Sequence, residues 1–123
     1  MNQEGLLFGK PGIKKKKKKH HKSIMHNRDG TCYLCMILDE NYRKYDTLEE
    51  HHIFMAGRKP LAEEYGLKVY LCFRHHTTLG GKDSIHNNYD LVRKLQDEAQ
   101  RAFEVEFPDK DFIRVFGKNY KKD

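Results

Sequence analysis

Apolar and polar residues alternate with the clearest period in the last third of the chain, after His86. Asn87 or Asn88 can cap a helix there, and Asp90 falls in its first turn, where a negative charge is favoured. The apolar positions recur at helical spacing and are Leu91, Leu95, Ala99, Ala102 and Phe103. The pattern predicts an amphipathic helix whose apolar stripe packs on a core.

Shorter apolar runs upstream predict small elements. Residues 48–54 can form a strand, and the β-branched and aromatic run at residues 69–71 predicts a second strand leading into Cys72. Residues 61–65 predict a helical turn ended by Gly66, and residues 73–79 the start of a helix stopped by Gly80–Gly81. The mixture indicates a small α+β fold.

The C-terminal segment carries one more short apolar face. Phe112, Ile113 and Phe116 have the spacing of a brief helix that Gly117 would end. Three large apolar side chains are poor candidates for free exposure, so this tail helix is expected to pack back on the core.

Length and composition limit the size of that core. The chain has 123 residues, 34% of them charged, and a mean hydropathy of -0.91. A single domain this small and polar often needs an additional covalent or metal link to be stable. We expect a basic, disordered tail over residues 1–28, a metal-bound core over 29–90 and a helical extension over 91–123, with order beginning near Asp29–Gly30.

The positive charge is concentrated in the tail. Residues 1–28 hold nine Lys and Arg against one acid, a net of +8, whereas the remaining 15 Lys and Arg and 17 Asp and Glu give -2. The densest block is Lys14, Lys15, Lys16, Lys17, Lys18 and Lys19. Such a block either is a solvated tail or contacts nucleic-acid phosphates without reading sequence, and we assign His20 and His21 to the same tail.

Cysteine and histidine spacing is the strongest chemical signal. Cys32-x-x-Cys35 and Cys72-x-x-His75 are two half-sites of equal spacing that together supply one tetrahedral zinc set. Small buried apolar cysteines would not explain the repeated spacing. A redox protein using Cys32 and Cys35 would leave the second half-site without a role. Three cysteines used as reduced ligands fit a cytoplasmic protein, and no stretch is long and apolar enough to span a membrane.

Four histidines remain after the zinc set is filled: His51, His52, His76 and His86. Neighbours on a strand point to opposite faces, so one of the His51–His52 pair could hold a metal while the other faces a water. His86 is either a third ligand of that metal or part of the cap region before the long helix.

These motifs resemble those of the HNH nuclease superfamily, which has the ββα-metal fold. The likeness runs from Cys32 to Tyr120 and is greatest to a small type found in phages and prophages. It rests on the two half-sites and on three further stretches: His-His-Ile-Phe at residues 51–54, Tyr-Leu-Cys-x-x-His-His at 70–76 and Phe-Gly-Lys-Asn-Tyr at 116–120.

The resemblance implies a role for each surplus histidine. It implies that His51 and His76 bind a catalytic cation, Mg²⁺ or another divalent ion, with His86 as a further ligand. It implies that His52 is the general base that activates water.

The sequence departs from the family pattern at two points. Gly66-Leu67-Lys68 stands where the family has an Asn that orients the base. His75 replaces the usual fourth cysteine, so either His75 or His76 could face the zinc.

The expected function is a metal-dependent DNA endonuclease of the cytoplasm, with zinc as a structural ion. The lysine block would contact the DNA backbone, together with Arg58 and Lys59. The alternative is a zinc-stabilised nucleic-acid-binding or adaptor module without catalysis.

Overall fold

The computed structural model describes residues 19–122 and shows a small α+β domain. Five helices and two strands follow one another along the described chain, with two 3₁₀ turns at Ala56–Arg58 and Thr78–Asp83. In order they are α1 (Tyr33–Asp39), β1 (Glu49–His52), α2 (Lys59–Tyr65), β2 (Lys68–Leu71), α3 (Phe73–His76), α4 (Tyr89–Glu106) and α5 (Phe112–Phe116). No helix in this part of the chain is both long and apolar enough to cross a membrane.

The two strands form an antiparallel pair with α2 between them in sequence. His51 lies opposite Val69, and His52 lies opposite Lys68. Every residue of β2 is buried. The apolar and β-branched sequence of residues 69–71 predicts this, whereas the buried Lys68 is paired with Glu50 and Glu63. The expected strands are therefore confirmed, although β1 is shorter than the predicted range of 48–54.

Helix α4 packs its apolar stripe into the hydrophobic core. Leu91, Leu95, Ala99 and Phe103 are buried, and the Asn88 side chain accepts a hydrogen bond from the Leu91 N–H at the helix start. The predicted amphipathic helix and one of its two candidate caps are thus confirmed.

The C-terminal segment closes an aromatic core. The Phe54 ring lies 4.9 Å from the Phe116 ring, and the Phe112 ring stacks on Phe116 at 4.6 Å. The expected three-residue apolar face is wrong at Ile113, which is 48% exposed. Residues four apart share a helix face, whereas the next residue along points about 100° away.

The first half-site begins a helix, since Cys32 caps α1 and its sulfur accepts the Cys35 N–H. The helix predicted over residues 73–79 is shorter than expected, because α3 ends at His76. Gly80–Gly81 does not simply stop a helix, because the chain continues through it as a 3₁₀ turn. A Cβ on Gly80 would lie 1.8 Å from the Arg74 carbonyl oxygen, so only glycine fits that approach.

The segment before Asp29 packs on the domain, which differs from the expectation of order beginning at Asp29–Gly30. Its Ser23 hydroxyl donates to the Lys68 carbonyl at 2.6 Å, and the Ile24 N–H donates to the Gly66 carbonyl at 3.0 Å. His26 is buried, and its Nδ1 accepts the Tyr70 N–H at 3.1 Å. These contacts satisfy backbone groups beside β2 that would otherwise need water.

Candidate metal centre and its neighbourhood

Three cysteines and one histidine converge where α1 meets the start of α3. Cys32 and Cys35 come from the cap and first turn of α1, while Cys72 precedes α3 and His75 lies within it. All four are buried. His75, rather than His76, completes the group, because its ring faces the three sulfurs.

The spacing of the four ligand atoms fits a tetrahedral ion. The His75 Nδ1 lies 3.5 Å from the Cys32 sulfur and 3.4 Å from the sulfurs of Cys35 and Cys72. The Cys35 and Cys72 sulfurs lie 3.9 Å apart. Ordinary zinc bond lengths give tetrahedral edges of about 3.5 Å for S···N and about 3.8 Å for S···S.

Hydrogen bonding cannot account for this group, since one ring nitrogen cannot bond three thiols at once. Burial raises the pKa of the Cys32 thiol to about 12 and also raises the pKa of Cys35. Without a cation these thiols would stay protonated, whereas metal binding displaces the protons. The four residues therefore form a group that can hold zinc.

A second cluster consists of His51, His76 and His86. Their ring centroids are 5.4 Å, 5.5 Å and 4.8 Å apart for the pairs 51–76, 51–86 and 76–86. One nitrogen of each ring lies within 4.8 Å of the others. His51 is buried at the base of the cluster, and His86 is exposed at its rim, so the site is open on one side.

Burial holds two of these imidazoles, His51 and His86, in the neutral form. Burial, assisted by the neighbouring histidines, lowers the pKa of His51 to about 3. Burial also lowers the pKa of His86. A neutral imidazole is the form that binds a metal.

The donor set does not fit Mg²⁺ well. Mg²⁺ prefers oxygen ligands, whereas imidazole suits first-row transition ions such as Zn²⁺, Ni²⁺ or Co²⁺. Glu49 adds a carboxylate to the cluster by contacting the His76 Nδ1. Such a contact leaves the other ring nitrogen of His76 for a metal, which is a usual arrangement around metal-binding histidines.

His52 lies apart from the triad, in a polar group on the other face of β1. Its Nε2 bonds the Glu63 carboxylate at 2.7 Å and lies 3.8 Å from Glu50. Lys68 completes the group, with its Nζ 3.1 Å from Glu63 and 3.3 Å from Glu50. Alternation along the strand thus sends His51 and His52 to different partners.

The basic residues expected to contact nucleic acid occupy different places. Lys19 and Lys59 are exposed and line a cleft of about 560 Å³ together with His52. Arg58 is also exposed, but its Nε donates to the Phe116 carbonyl at 2.8 Å and so supports the end of α5. Lys14, Lys15, Lys16, Lys17 and Lys18 lie outside the described residues.

Sequence reasoning missed two carboxylates. Glu49 could have been found, because residues two apart on a strand share a face and His51 was already a candidate. Glu63 gives no such signal, since it reaches His52 from a helix eleven residues further along the chain.

Comparison with known proteins gave no matching family model, no matching curated protein and no matching solved structure. A function for this chain therefore has to be inferred from its fold and from the chemistry of its two clusters.

Proposed function

We propose that the protein is a metal-dependent endonuclease that hydrolyses phosphodiester bonds of DNA. The main observation in support is that the fold brings together two separate clusters of possible metal ligands. The cysteine group is enclosed and uses four protein ligands, which is typical of structural zinc. The histidine triad supplies three protein ligands and is open on one side, which is typical of a catalytic ion.

The cysteine group would stabilise the fold. It links α1 to the junction of β2 and α3, two segments about 40 residues apart in sequence. This link fixes α3, which carries His76, against the strand that carries His51. The first cluster thereby sets the geometry of the second.

The triad residues would hold a divalent ion through neutral imidazole nitrogens. A bound ion would supply positive charge to a phosphoryl oxygen and to the leaving oxygen. His51 would fix the ion from the buried side, and the exposed His86 would leave room for a phosphodiester at the rim.

His52 would take the proton from the attacking water. Consecutive Cα atoms lie about 3.8 Å apart, so His51 and His52 flank the same stretch of β1 from its two faces. Residues 19–122 contain no other strand pairing with β1, which leaves its outer edge free of strand neighbours. A phosphodiester lying across that edge could face the ion on one side and His52 on the other.

The lysine block supports a nucleic-acid substrate. Its last member, Lys19, lies at the cleft that His52 lines, so the block ends beside the proposed base. Lysines at that place would attract a phosphate backbone without selecting a sequence.

The test is nicking of supercoiled plasmid by the zinc-loaded protein during titration with Mn²⁺, Ni²⁺ or Co²⁺. We expect nicking that depends on the added ion and disappears in His51→Ala until much more ion is added. Binding of DNA with no metal-dependent nicking would reject the nuclease and favour the non-catalytic binding module.

A further inference from the structure

We propose that Glu63 is a positioning residue that sets the tautomer of His52 and so makes it a competent base. This inference rests on the proposed function. It concerns a carboxylate on helix α2, between the two strands, that neither composition nor spacing singled out.

The contacts place Glu63 at the centre of the group. One oxygen bonds the His52 Nε2 at 2.7 Å, and the other bonds the His20 Nδ1 at 2.7 Å. Lys68 donates to both oxygens, at 3.2 Å and 3.1 Å. Four hydrogen bonds from three separate segments leave the carboxylate little freedom to turn away from His52.

The chemistry of the contact decides where the imidazole proton lies. An ionised carboxylate only accepts hydrogen bonds, so the His52 Nε2 must carry the hydrogen. The lone pair is then on Nδ1. Within residues 19–122, both polar contacts of His52 are made through Nε2, which leaves Nδ1 as the nitrogen able to accept a proton from water.

The carboxylate stays ionised in this setting. Burial alone would raise the pKa of Glu63, but hydrogen bonds from His52, His20 and Lys68 outweigh it and lower the pKa to about 2. A negative Glu63 would also stabilise the imidazolium that His52 becomes after taking the proton, as carboxylates beside catalytic histidines do.

A second metal ion is a weaker interpretation of the same group. Glu50, His52 and Glu63 have ligand atoms within 4.8 Å of one another. However, the Lys68 ammonium lies 3.3 Å from Glu50 and 3.1 Å from Glu63, so a cation already bridges the two carboxylates. Positioning of His52 needs no displacement of Lys68.

The kinetic experiment compares Glu63→Gln with Glu64→Gln in the zinc-loaded full chain. Glu64 is the matched control because it makes the same chemical change one residue along α2, where its described ion pair is with Lys19 at 3.9 Å. We expect Glu63→Gln to lower kcat by up to about 10⁴-fold, the effect of the corresponding carboxylate-to-amide change beside the histidine of a Ser-His-Asp triad. KM and the concentration of ion needed for half-maximal nicking should not change, and Glu64→Gln should keep the wild-type kcat.

The first readout of the spectroscopic experiment uses wild type alone and so does not depend on the folding of a variant. Nitrogen NMR of ¹⁵N-histidine-labelled wild type, about two pH units above the ordinary imidazole pKa, should show His52 as the Nε2–H tautomer. In Glu63→Gln that signal should shift toward a mixture, because an amide can either accept from or donate to Nε2.

The outcomes separate the two proposals. If wild type shows no metal-dependent nicking, the proposed function fails and the positioning role fails with it. If wild type nicks, the positioning role alone is overturned by any of three results: Glu63→Gln nicks as fast as wild type, its defect appears in metal affinity instead of kcat, or wild-type His52 carries its hydrogen on Nδ1.

Discussion

The two adjacent histidines of β1 belong to different side-chain clusters, one on each face of the strand. His51 lies with His76 and His86, whereas His52 lies with Glu63 and Lys68. The division follows from the two-residue period of a strand, which turns adjacent side chains to opposite sides. The two histidines should therefore respond differently to the same substitution.

His52→Ala should lower turnover without disturbing either metal cluster. Removal of a general base typically costs about 10²–10⁴ in rate. Zinc content and the affinity for the exchangeable ion should remain as in wild type, because His52 belongs to neither ligand set. Plasmid nicking across a metal titration measures both effects, and cleavage equal to wild type would remove His52 from the mechanism.

Glu49→Gln tests the carboxylate behind His76. An amide can hold the ring less firmly than a carboxylate, so the variant should need about 10–100-fold more Mn²⁺, Ni²⁺ or Co²⁺ for half-maximal nicking. The maximum rate at saturating ion should change little. An unchanged metal requirement in the same titration would show that Glu49 does not support the triad.

At the level of elements, the stability of the short helices depends on their contacts with the rest of the domain. Helix α3 has four residues and α1 has seven, and isolated helices of this length are unstable in water. Each begins at a cysteine of the buried group, and a metal ion held by that group would supply the order that helix propensity cannot. The N-terminal segment is held in a similar way, by hydrogen bonds to α2 and β2.

Cys35→Ala should abolish zinc binding and unfold the domain. Structural zinc contributes on the order of 10–16 kcal/mol of apparent binding free energy in small peptides, more than a domain of this size has to spare. Met36→Ala is the control, because it truncates the next side chain of α1 and leaves the ligands in place. Metal analysis and circular dichroism give the result, and a folded, zinc-free Cys35→Ala protein would contradict it.

The buried His26 should make stability depend on pH. Burial lowers its pKa from the ordinary value of 6.5 despite the nearby Asp29, so in acid the unfolded chain binds the proton more readily than the folded one. The contribution of neutral His26 to the free energy of unfolding is complete above pH 6.5. It declines as the pH falls below that value, by at most about 1.4 kcal/mol per pH unit. Denaturant unfolding of the zinc-loaded protein at several pH values should show a shallower dependence of the free energy of unfolding on pH in His26→Gln than in wild type, and an equal dependence would contradict this role of His26.

On the scale of the whole molecule, charge and chemistry are carried by different parts of the chain. The net charge of +6 comes from residues 1–28, while the ligand clusters lie in residues 32–86, within a remainder of net charge -2. Affinity for nucleic acid and turnover should therefore be separable by truncation.

Deletion of residues 1–18 should weaken DNA binding and spare catalysis. It removes six lysines and one glutamate but retains the His20 and Ser23 contacts to the domain. The logarithm of affinity should fall less steeply with the logarithm of salt concentration, by about 0.9 for each DNA phosphate that the deleted lysines would have neutralised. An unchanged salt slope in binding titrations would show that the block does not touch DNA.

The sequence by itself determined the features that depend on residues close together in the chain. The period of α4, its Asn88 cap, the end of α2 at Gly66 and the two equally spaced half-sites are local patterns of side-chain volume, hydrogen bonding and backbone freedom. Their physical causes act over a few residues, so they could be predicted without the fold.

Only the tertiary structure decided which distant side chains meet. It joined Glu63 to His52 and Glu49 to His76, and it selected His75 over His76 for the cysteine group. It also placed the segment around Ser23 against α2 and β2 and turned Ile113 outward. These outcomes depend on how a few strands and helices pack together, and that packing reflects the burial and hydrogen bonding of the whole domain, which no short stretch of sequence contains.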